Sequence, residues 1–173
     1  MYQHLHQHRL ILGGARSGKS GFALAEAEKV GAKRLYLATA TALDGEMSSR
    51  ILAHQAERGE GWTTVEEPLD IAGQLASDHG ADVVLLDCLT LWLSNLMHER
   101  RNLESEMEGL IAALVDTPQP VILVSNEVGL SLVPETALGR AFRDAQGLLN
   151  QRIAASVARV DFVAAGLPLR LKP

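Results

Sequence analysis

Gly13-Gly14-Ala15-Arg16-Ser17-Gly18-Lys19-Ser20 fits Gly-x-x-x-x-Gly-Lys-[Ser/Thr], a spacing suited to wrapping the phosphates of a nucleotide. Glycines let main-chain N–H groups approach phosphate oxygens, and the start of a following helix adds partial positive charge. Lys19 supplies a full charge, and the Ser20 hydroxyl is able to ligate Mg²⁺. Val83-Val84-Leu85-Leu86-Asp87 is an apolar strand ending in a carboxylate, the arrangement that holds magnesium opposite the loop serine in this class. A carboxylate that merely caps the next turn is the competing reading of Asp87. Asp87 is followed by Cys88, Leu89 and Thr90 rather than Asp-x-x-Gly, and Asn126-Glu127-Val128-Gly129 stands where a guanine-reading Asn-Lys-x-Asp would be. A GTPase switch is therefore disfavoured.

The next stretch with chemistry is residues 44–58. If it is helical, Glu46, Arg50, His54 and Arg58 share one face at spacings of four, which sets one imidazole between two guanidiniums. A solvated face of alternating salt bridges is one reading. In the other, His54 is a nucleophile. A neutral imidazole attacks phosphorus near pH 7, and the arginines neutralise the phosphates being transferred.

These groups need a scaffold. Residues 10–12, 35–38, 83–87, 121–125 and 160–164 are apolar, β-rich runs with helical patterns between them. A short strand at 63–66 and an antiparallel edge strand at 169–172 are weaker signals. Helical patterns fall at 21–28, 46–58, 69–78, 91–100, 103–115 and 136–158. The alternation predicts an α/β fold of the P-loop NTPase type (RecA-like): a mostly parallel sheet, helices on both faces, and a ligand crevice at the carboxyl ends of the strands. Asn126 to Gly129 reads as a strand-to-loop turn with Gly129 at positive φ, or as a substrate contact at a strand end. Arg140, Arg143 and Asp144 read as a salt-bridged helix surface. Trp62 and Trp92 read as fillers of core or interface.

With 173 residues, 47% of them hydrophobic, the chain suits one compact domain over residues 1–173. The net charge of −5 and the scattered Lys and Arg make nucleic acid a poor partner. Cys88 is the one cysteine, has no companion for a thiolate cluster, and reads as a buried strand-end thiol in a reducing cytoplasm. No apolar run reaches the eighteen or so residues of a membrane span, so a soluble cytoplasmic protein is expected. His4, His6 and His8 alternate with Leu and Gln and read as a frayed terminus.

Over nearly its whole length the chain resembles the bifunctional adenosylcobinamide kinase / adenosylcobinamide-phosphate guanylyltransferase family of cobalamin biosynthesis. The resemblance rests on the phosphate loop, Tyr36-Leu37-Ala38-Thr39-Ala40, Glu46-Met47 with Arg50-Ile51 and His54, and Trp62 with Glu66-Glu67-Pro68. It continues in the run from Asp87 to Leu96, Asn126-Glu127-Val128-Gly129 with Val133-Pro134, and Phe142-Arg143-Asp144 with Gly147, Asn150 and Gln151. It implies a P-loop transferase that phosphorylates adenosylcobinamide with ATP or GTP. The enzyme would then move GMP from GTP onto adenosylcobinamide phosphate through a covalent GMP adduct on His54. It further implies triphosphate held by Lys19 and the loop from Gly13 to Ser20, Mg²⁺ on Ser20 and Asp87, and nucleotide contacts from Ala38, Thr39, Ala40, Gln55, Ala56, Glu57, Arg58 and Glu66. A homotrimer is implied as well.

The chain departs from the family pattern at Gln55, where a basic residue is expected, at Gly59 in place of proline, and at Leu148 where arginine is frequent. The first departure removes a potential phosphate contact, and none touches Lys19, Ser20, His54 or Asp87. Two rival functions remain. Another small-molecule or nucleotide kinase would need Lys19 and Asp87 but not His54. A RecA-like regulatory ATPase module is the third reading, and the scarce basic surface and absent switch motifs count against it.

Overall fold

The structure, a computed structural model, describes residues 7–40 and 59–173. The expected helix at 46–58, with His54, Gln55, Ala56, Glu57 and Arg58, lies outside the described residues, as do His4 and His6.

Five short parallel strands, β1 (Arg9–Gly13), β2 (Arg34–Ala38), β3 (Trp62–Glu66), β4 (Val83–Asp87) and β5 (Val121–Asn126), join β6 (Arg159–Ala164) and β7 (Leu167–Lys172) in one sheet. The order is β3-β2-β4-β5-β1-β6-β7, parallel throughout except for the antiparallel β6–β7 hairpin at the edge. Both weaker strand expectations are thus met by β3 and β7. Helices α1 (Lys19–Glu28), α2 (Ile71–Ala76), α3 (Leu89–His98), α4 (Leu103–Asp116) and α5 (Ala137–Ser156) complete the described elements.

Strand pleating explains how the faces are covered. In β1, Leu10 and Leu12 point into the larger core with Trp92, Met107, Leu110, Leu149 and Ile153, contributed by α3, α4 and α5. Ile11, between them, points the other way, where Ala23 and Ala27 of α1 pack with Leu85, Ile122 and Val163. Strands buried on both faces read as continuous apolar runs, as β4 and β5 do. Side chains cap three helices: Asp70 accepts from Gly73 N–H, Asn102 from Ser105 N–H and Thr136 from Gly139 N–H.

His8 corrects the expectation of a frayed terminus. It is fully buried, its Nδ1 accepts from the Val121 N–H (3.1 Å), and its Nε2 meets the Leu114 carbonyl at 2.7 Å. The two partners assign the ring as neutral with its proton on Nε2. Trp92 is buried and donates from Nε1 to Leu69 O at 2.8 Å. Trp62 is half-buried, edge-on to Tyr36 and under the Arg34 guanidinium.

Candidate functional site

Because β1 and β4 are parallel and flank β5, the phosphate-loop sequence and Asp87 emerge at the same edge of the sheet. The chain leaves β1 through left-handed backbone at Arg16 (φ 55°) and Gly18 (φ 91°), then enters α1 with Gly18 as its N-cap. Such alternation turns successive main-chain N–H groups toward one side, the concave shape that receives anions. Gly18 is needed there twice over. A side chain would strain its φ, and its Cβ would stand 3.0 Å from the Gly166 Cα.

Lys19 and Ser20 follow as the first two residues of α1, where the helix's own N–H groups lack partners. Lys19 is largely buried, and its Nζ donates to the Gly14 carbonyl at 3.0 Å. Ala15 and Arg16 are exposed, whereas Ser17 is buried with a hydroxyl that meets no partner among the described residues. The loop has support from behind: the Gly166 N–H, in the β6–β7 turn, donates to the Ser17 carbonyl at 2.8 Å.

At the end of β4, Asp87 is half-buried and accepts from the Tyr36 hydroxyl at 2.5 Å through Oδ2. No described residue donates to its Oδ1. The Thr39 N–H donates to the Asp87 carbonyl (2.9 Å), and the Thr39 hydroxyl both donates to the Cys88 carbonyl (2.7 Å) and accepts from the Cys88 N–H (2.9 Å). Thr39 is fully buried, so its hydroxyl serves to tie the end of β2 to the end of β4. Ala38 is buried beside it, Ala40 is half-buried, and Glu66 is exposed at the end of the neighbouring β3. Cys88 is buried as expected. Burial, reinforced by the charge of Asp87, pushes its thiol above the ordinary range and keeps the sulfur neutral at pH 7.

Beyond β5, the bend from Asn126 to Gly129 differs from expectation. Gly129 does not take positive φ, and the turn is closed by the Glu127 carboxylate, which accepts from the Gly129 N–H. The Glu127 N–H donates to the Gly13 carbonyl at 3.1 Å, which fastens this bend to the root of the phosphate loop. Arg143 pairs with Asp144 at 3.0 Å, the expected surface salt bridge, while Arg140 instead donates to the carbonyls of Pro134 and Glu135.

Sequence reasoning missed Tyr36 as the partner of Asp87 and the Ala165-Gly166 turn as a brace. It also missed a buried polar knot of Ser125, Gln146 and Asn150. The last had a signal: two carboxamides four residues apart, on the helix face that carries Leu149 and Ile153. A cavity of about 260 Å³ opens at the opposite, amino end of the strands beside Arg34, Trp62 and His79, away from Lys19. The chemistry at that end offers no phosphate loop.

The arrangement is suited to gripping a polyphosphate. It offers an amide-lined turn, a shielded ammonium, a hydroxyl at the helix start and a carboxylate oriented by a phenol. Oxygen donors of that kind fit a hard divalent cation. Among the described residues there is no cluster of three or more His, Cys, Asp or Glu side chains that could hold a metal on its own.

The family model described as cobinamide kinase / cobinamide phosphate guanyltransferase matches residues 9–171. The chain is similar to the bifunctional adenosylcobalamin biosynthesis protein CobP of Pseudomonas aeruginosa, at 49% identity over 166 residues covering 94% of this chain and 96% of the relative. Similarity to the corresponding protein CobU of Escherichia coli K12 is 37% over 182 residues, covering 94% and 98%. Among solved structures, a KaiC-like protein from Pyrococcus horikoshii OT3 superposes with a TM-score of 0.52 at 14% identity, over 90% of this chain and 70% of that one. This last likeness concerns the fold, a P-loop, RecA-like sheet.

Proposed function

The chain belongs to the cobinamide kinase / cobinamide phosphate guanyltransferase family, and from that premise we propose that it carries out both reactions on adenosylcobinamide in adenosylcobalamin biosynthesis. The observation that carries this reading is the extent of the family match, residues 9–171, which takes in the phosphate loop, Asp87 and the stretch around His54 in one continuous relationship.

In the kinase reaction, the acceptor hydroxyl oxygen attacks the terminal phosphorus of ATP or GTP. The bond to the bridging oxygen breaks, the nucleoside diphosphate leaves, and the hydroxyl proton is lost to solvent or base. Lys19 and the amides from Gly13 to Ser20 hold the phosphates and offset the charge carried by the departing oxygens. In guanylyl transfer, an imidazole nitrogen of His54 attacks the innermost phosphorus of GTP. A P–N bond forms while the P–O bond to pyrophosphate breaks. The phosphate of adenosylcobinamide phosphate then attacks the same phosphorus, breaks the P–N bond, and restores His54 as adenosylcobinamide-GDP forms.

Ser20 and Asp87 would hold Mg²⁺, and the Oδ1 of Asp87, to which no described residue donates, supports that assignment. When bound, such an ion would supply positive charge that offsets the charge of the phosphates. Further nucleotide contacts are assigned to Ala38, Thr39, Ala40, Gln55, Ala56, Glu57, Arg58 and Glu66. For Thr39 the hydroxyl is engaged with Cys88 and the N–H with the Asp87 carbonyl, so the second lone pair of its carbonyl, which already accepts from Asn95 Nδ2, is what remains for a contact.

Residues 1–173 would act as one domain in a cytoplasmic homotrimer. The exposed apolar side chains of Leu130, Leu132, Val133 and Leu138, and of Leu167, Leu169 and Leu171 on the sheet edge, support assembly through a partner surface. Light scattering of the purified protein measures the assembly.

The function is tested by incubating the chain with GTP and Mg²⁺ and measuring intact mass. A guanylate adduct mapping to His54, absent from His54→Ala, is the expected result. A chain that phosphorylates cobinamide but never retains guanylate would instead be a kinase without a covalent intermediate. A chain that binds triphosphate but modifies no corrinoid would be neither.

A further inference from the structure

Phosphorylation and guanylyl transfer differ in what their acceptors bring. The hydroxyl that attacks ATP or GTP must lose a proton, whereas His54 attacks through an unprotonated nitrogen and adenosylcobinamide phosphate through an anionic oxygen. A chain that performs both needs a proton acceptor for the first reaction alone. In this sheet such a group belongs at the carboxyl ends of the strands beside β1, where the phosphate loop begins.

Among the described residues, Asp87, Glu66, Glu67 and Glu127 are the carboxylates that end the parallel strands or follow them directly. Asp87 is engaged by the Tyr36 hydroxyl and assigned to the cation. Glu66 and Glu67 close β3, the edge strand on the side away from β1, and Glu67 Oε1 accepts from the N–H groups of Leu69 and Asp70, both at 2.9 Å. Glu127 follows β5, the strand paired with both β1 and β4.

The main chain fixes where Glu127 stands. Its N–H donates to the Gly13 carbonyl at 3.1 Å, which sets the residue directly beyond the root of the phosphate loop. Its Oε1 accepts from the Gly129 N–H at 2.5 Å, a bond that holds the side chain along its own bend. To its Oε2 no described residue donates. Glu127 is half-buried, while Gly129 to Leu132 just beyond it are exposed, so the bend opens to solvent as the arrival of a large acceptor requires. One carboxylate oxygen is tied to the fold, and the other is left to a ligand.

We propose that Glu127 is a further catalytic residue, the general base of the phosphorylation step. The inference rests on the two-reaction function proposed above. Oε2 takes the proton of the adenosylcobinamide hydroxyl as the hydroxyl oxygen bonds to the terminal phosphorus. The bond from that phosphorus to the bridging oxygen breaks, and its electron pair leaves with the nucleoside diphosphate. Glu127 gives the proton to solvent once the products depart. Neither half of guanylyl transfer passes through it.

The test compares Glu127→Gln with the unaltered chain in two assays on the same preparations: steady-state phosphorylation of cobinamide, and single-turnover attachment of GMP from GTP. The carboxamide keeps an oxygen for the Gly129 N–H, so the bend is retained while the base is lost. The variant is expected to lower kcat for phosphorylation by on the order of 10²–10⁴, with KM for the triphosphate and the rate of GMP attachment each within about threefold. Retained GMP attachment also reports that the variant is folded. Glu127→Asp, which keeps a carboxylate on a shorter stem, is expected to fall between the two. A loss in kcat of less than about tenfold for Glu127→Gln would overturn the inference. So would a parallel fall in both assays, or an Asp variant no faster than Gln. An unaltered chain that phosphorylates no cobinamide would remove the functional reading, and this inference with it. An active unaltered chain with an unaffected variant would remove the inference alone.

Discussion

The Gly166 N–H donates to the Ser17 carbonyl at 2.8 Å, so the tight turn between the last two strands is fastened to the phosphate loop some 150 residues earlier in the chain. Ala165 (φ 50°) and Gly166 (φ 78°) both take left-handed backbone, as a two-residue turn joining twisted antiparallel strands requires. The loop's shape thus depends on an edge hairpin, not on its own eight residues alone.

A graded effect follows at the two facing glycines. Gly166→Ala meets open space and pays for its φ alone, about 1–2 kcal/mol. Gly18→Ala adds a Cβ 3.0 Å from the Gly166 main chain to a comparable φ strain, and so must move either loop or hairpin. Thermal denaturation should rank Gly18→Ala as the less stable. Titration with a GTP analogue should show Gly166→Ala weakened by less than about tenfold and Gly18→Ala by more.

Lys19 separates function from stability. Its ammonium is buried and donates to the Gly14 carbonyl, an arrangement that serves a bound anion better than it serves the empty fold. Lys19→Met is therefore expected to leave the melting temperature unchanged or raised while lowering phosphorylation by on the order of 10²–10³. A melting temperature that drops sharply in this variant would show that the lysine is a structural residue.

Much of this site could be read from residue order alone, and the reason is local. The motif from Gly13 to Ser20 has its geometry written into glycine positions, and apolar runs such as those of β4 and β5 announce strands buried on both faces. What escaped is long-range. Nothing near Tyr36 indicates that its hydroxyl reaches Asp87, 51 residues on, and nothing near Gly166 indicates Ser17. His8 was misjudged for the same cause, since a histidine among polar neighbours looks solvated until the fold brings Val121 and Leu114 to its two nitrogens. Strand pairing across the sheet decides all three.

Acid should weaken the fold through Glu26. Burial alone would raise its carboxyl pKa, but the hydrogen bond and charge of Lys29, with the charges of Arg9 and Arg159, hold it below the ordinary value. A carboxyl lowered in the folded state adds stability that is complete above the unfolded pKa, about 4.3, and disappears as pH falls through the folded value. Chemical denaturation from pH 7 down to pH 3 should show this loss in the unaltered chain. Glu26→Gln should be less stable at pH 7 by about 1–3 kcal/mol and show a smaller fall with acid. Equal pH slopes for the two proteins would contradict the assignment.

His8 offers the cleanest test of a buried polar link remote from the phosphate loop. Its ring bridges the Val121 N–H at the start of β5 and the Leu114 carbonyl near the end of α4, while its own carbonyl accepts from the Ala158 and Arg159 N–H groups at the start of β6. His8→Ala leaves the first two groups buried without that partner and opens a cavity, which costs about 2–4 kcal/mol. Since β5 carries Asn126 at its far end, a loosened start of the strand would also be felt there, though more weakly than a direct change. Urea denaturation of His8→Ala should show the lower midpoint with an unchanged slope, and nucleotide affinity within about threefold of the unaltered chain. A loss of stability of less than about 0.5 kcal/mol would show that water replaces the imidazole and that the link is dispensable.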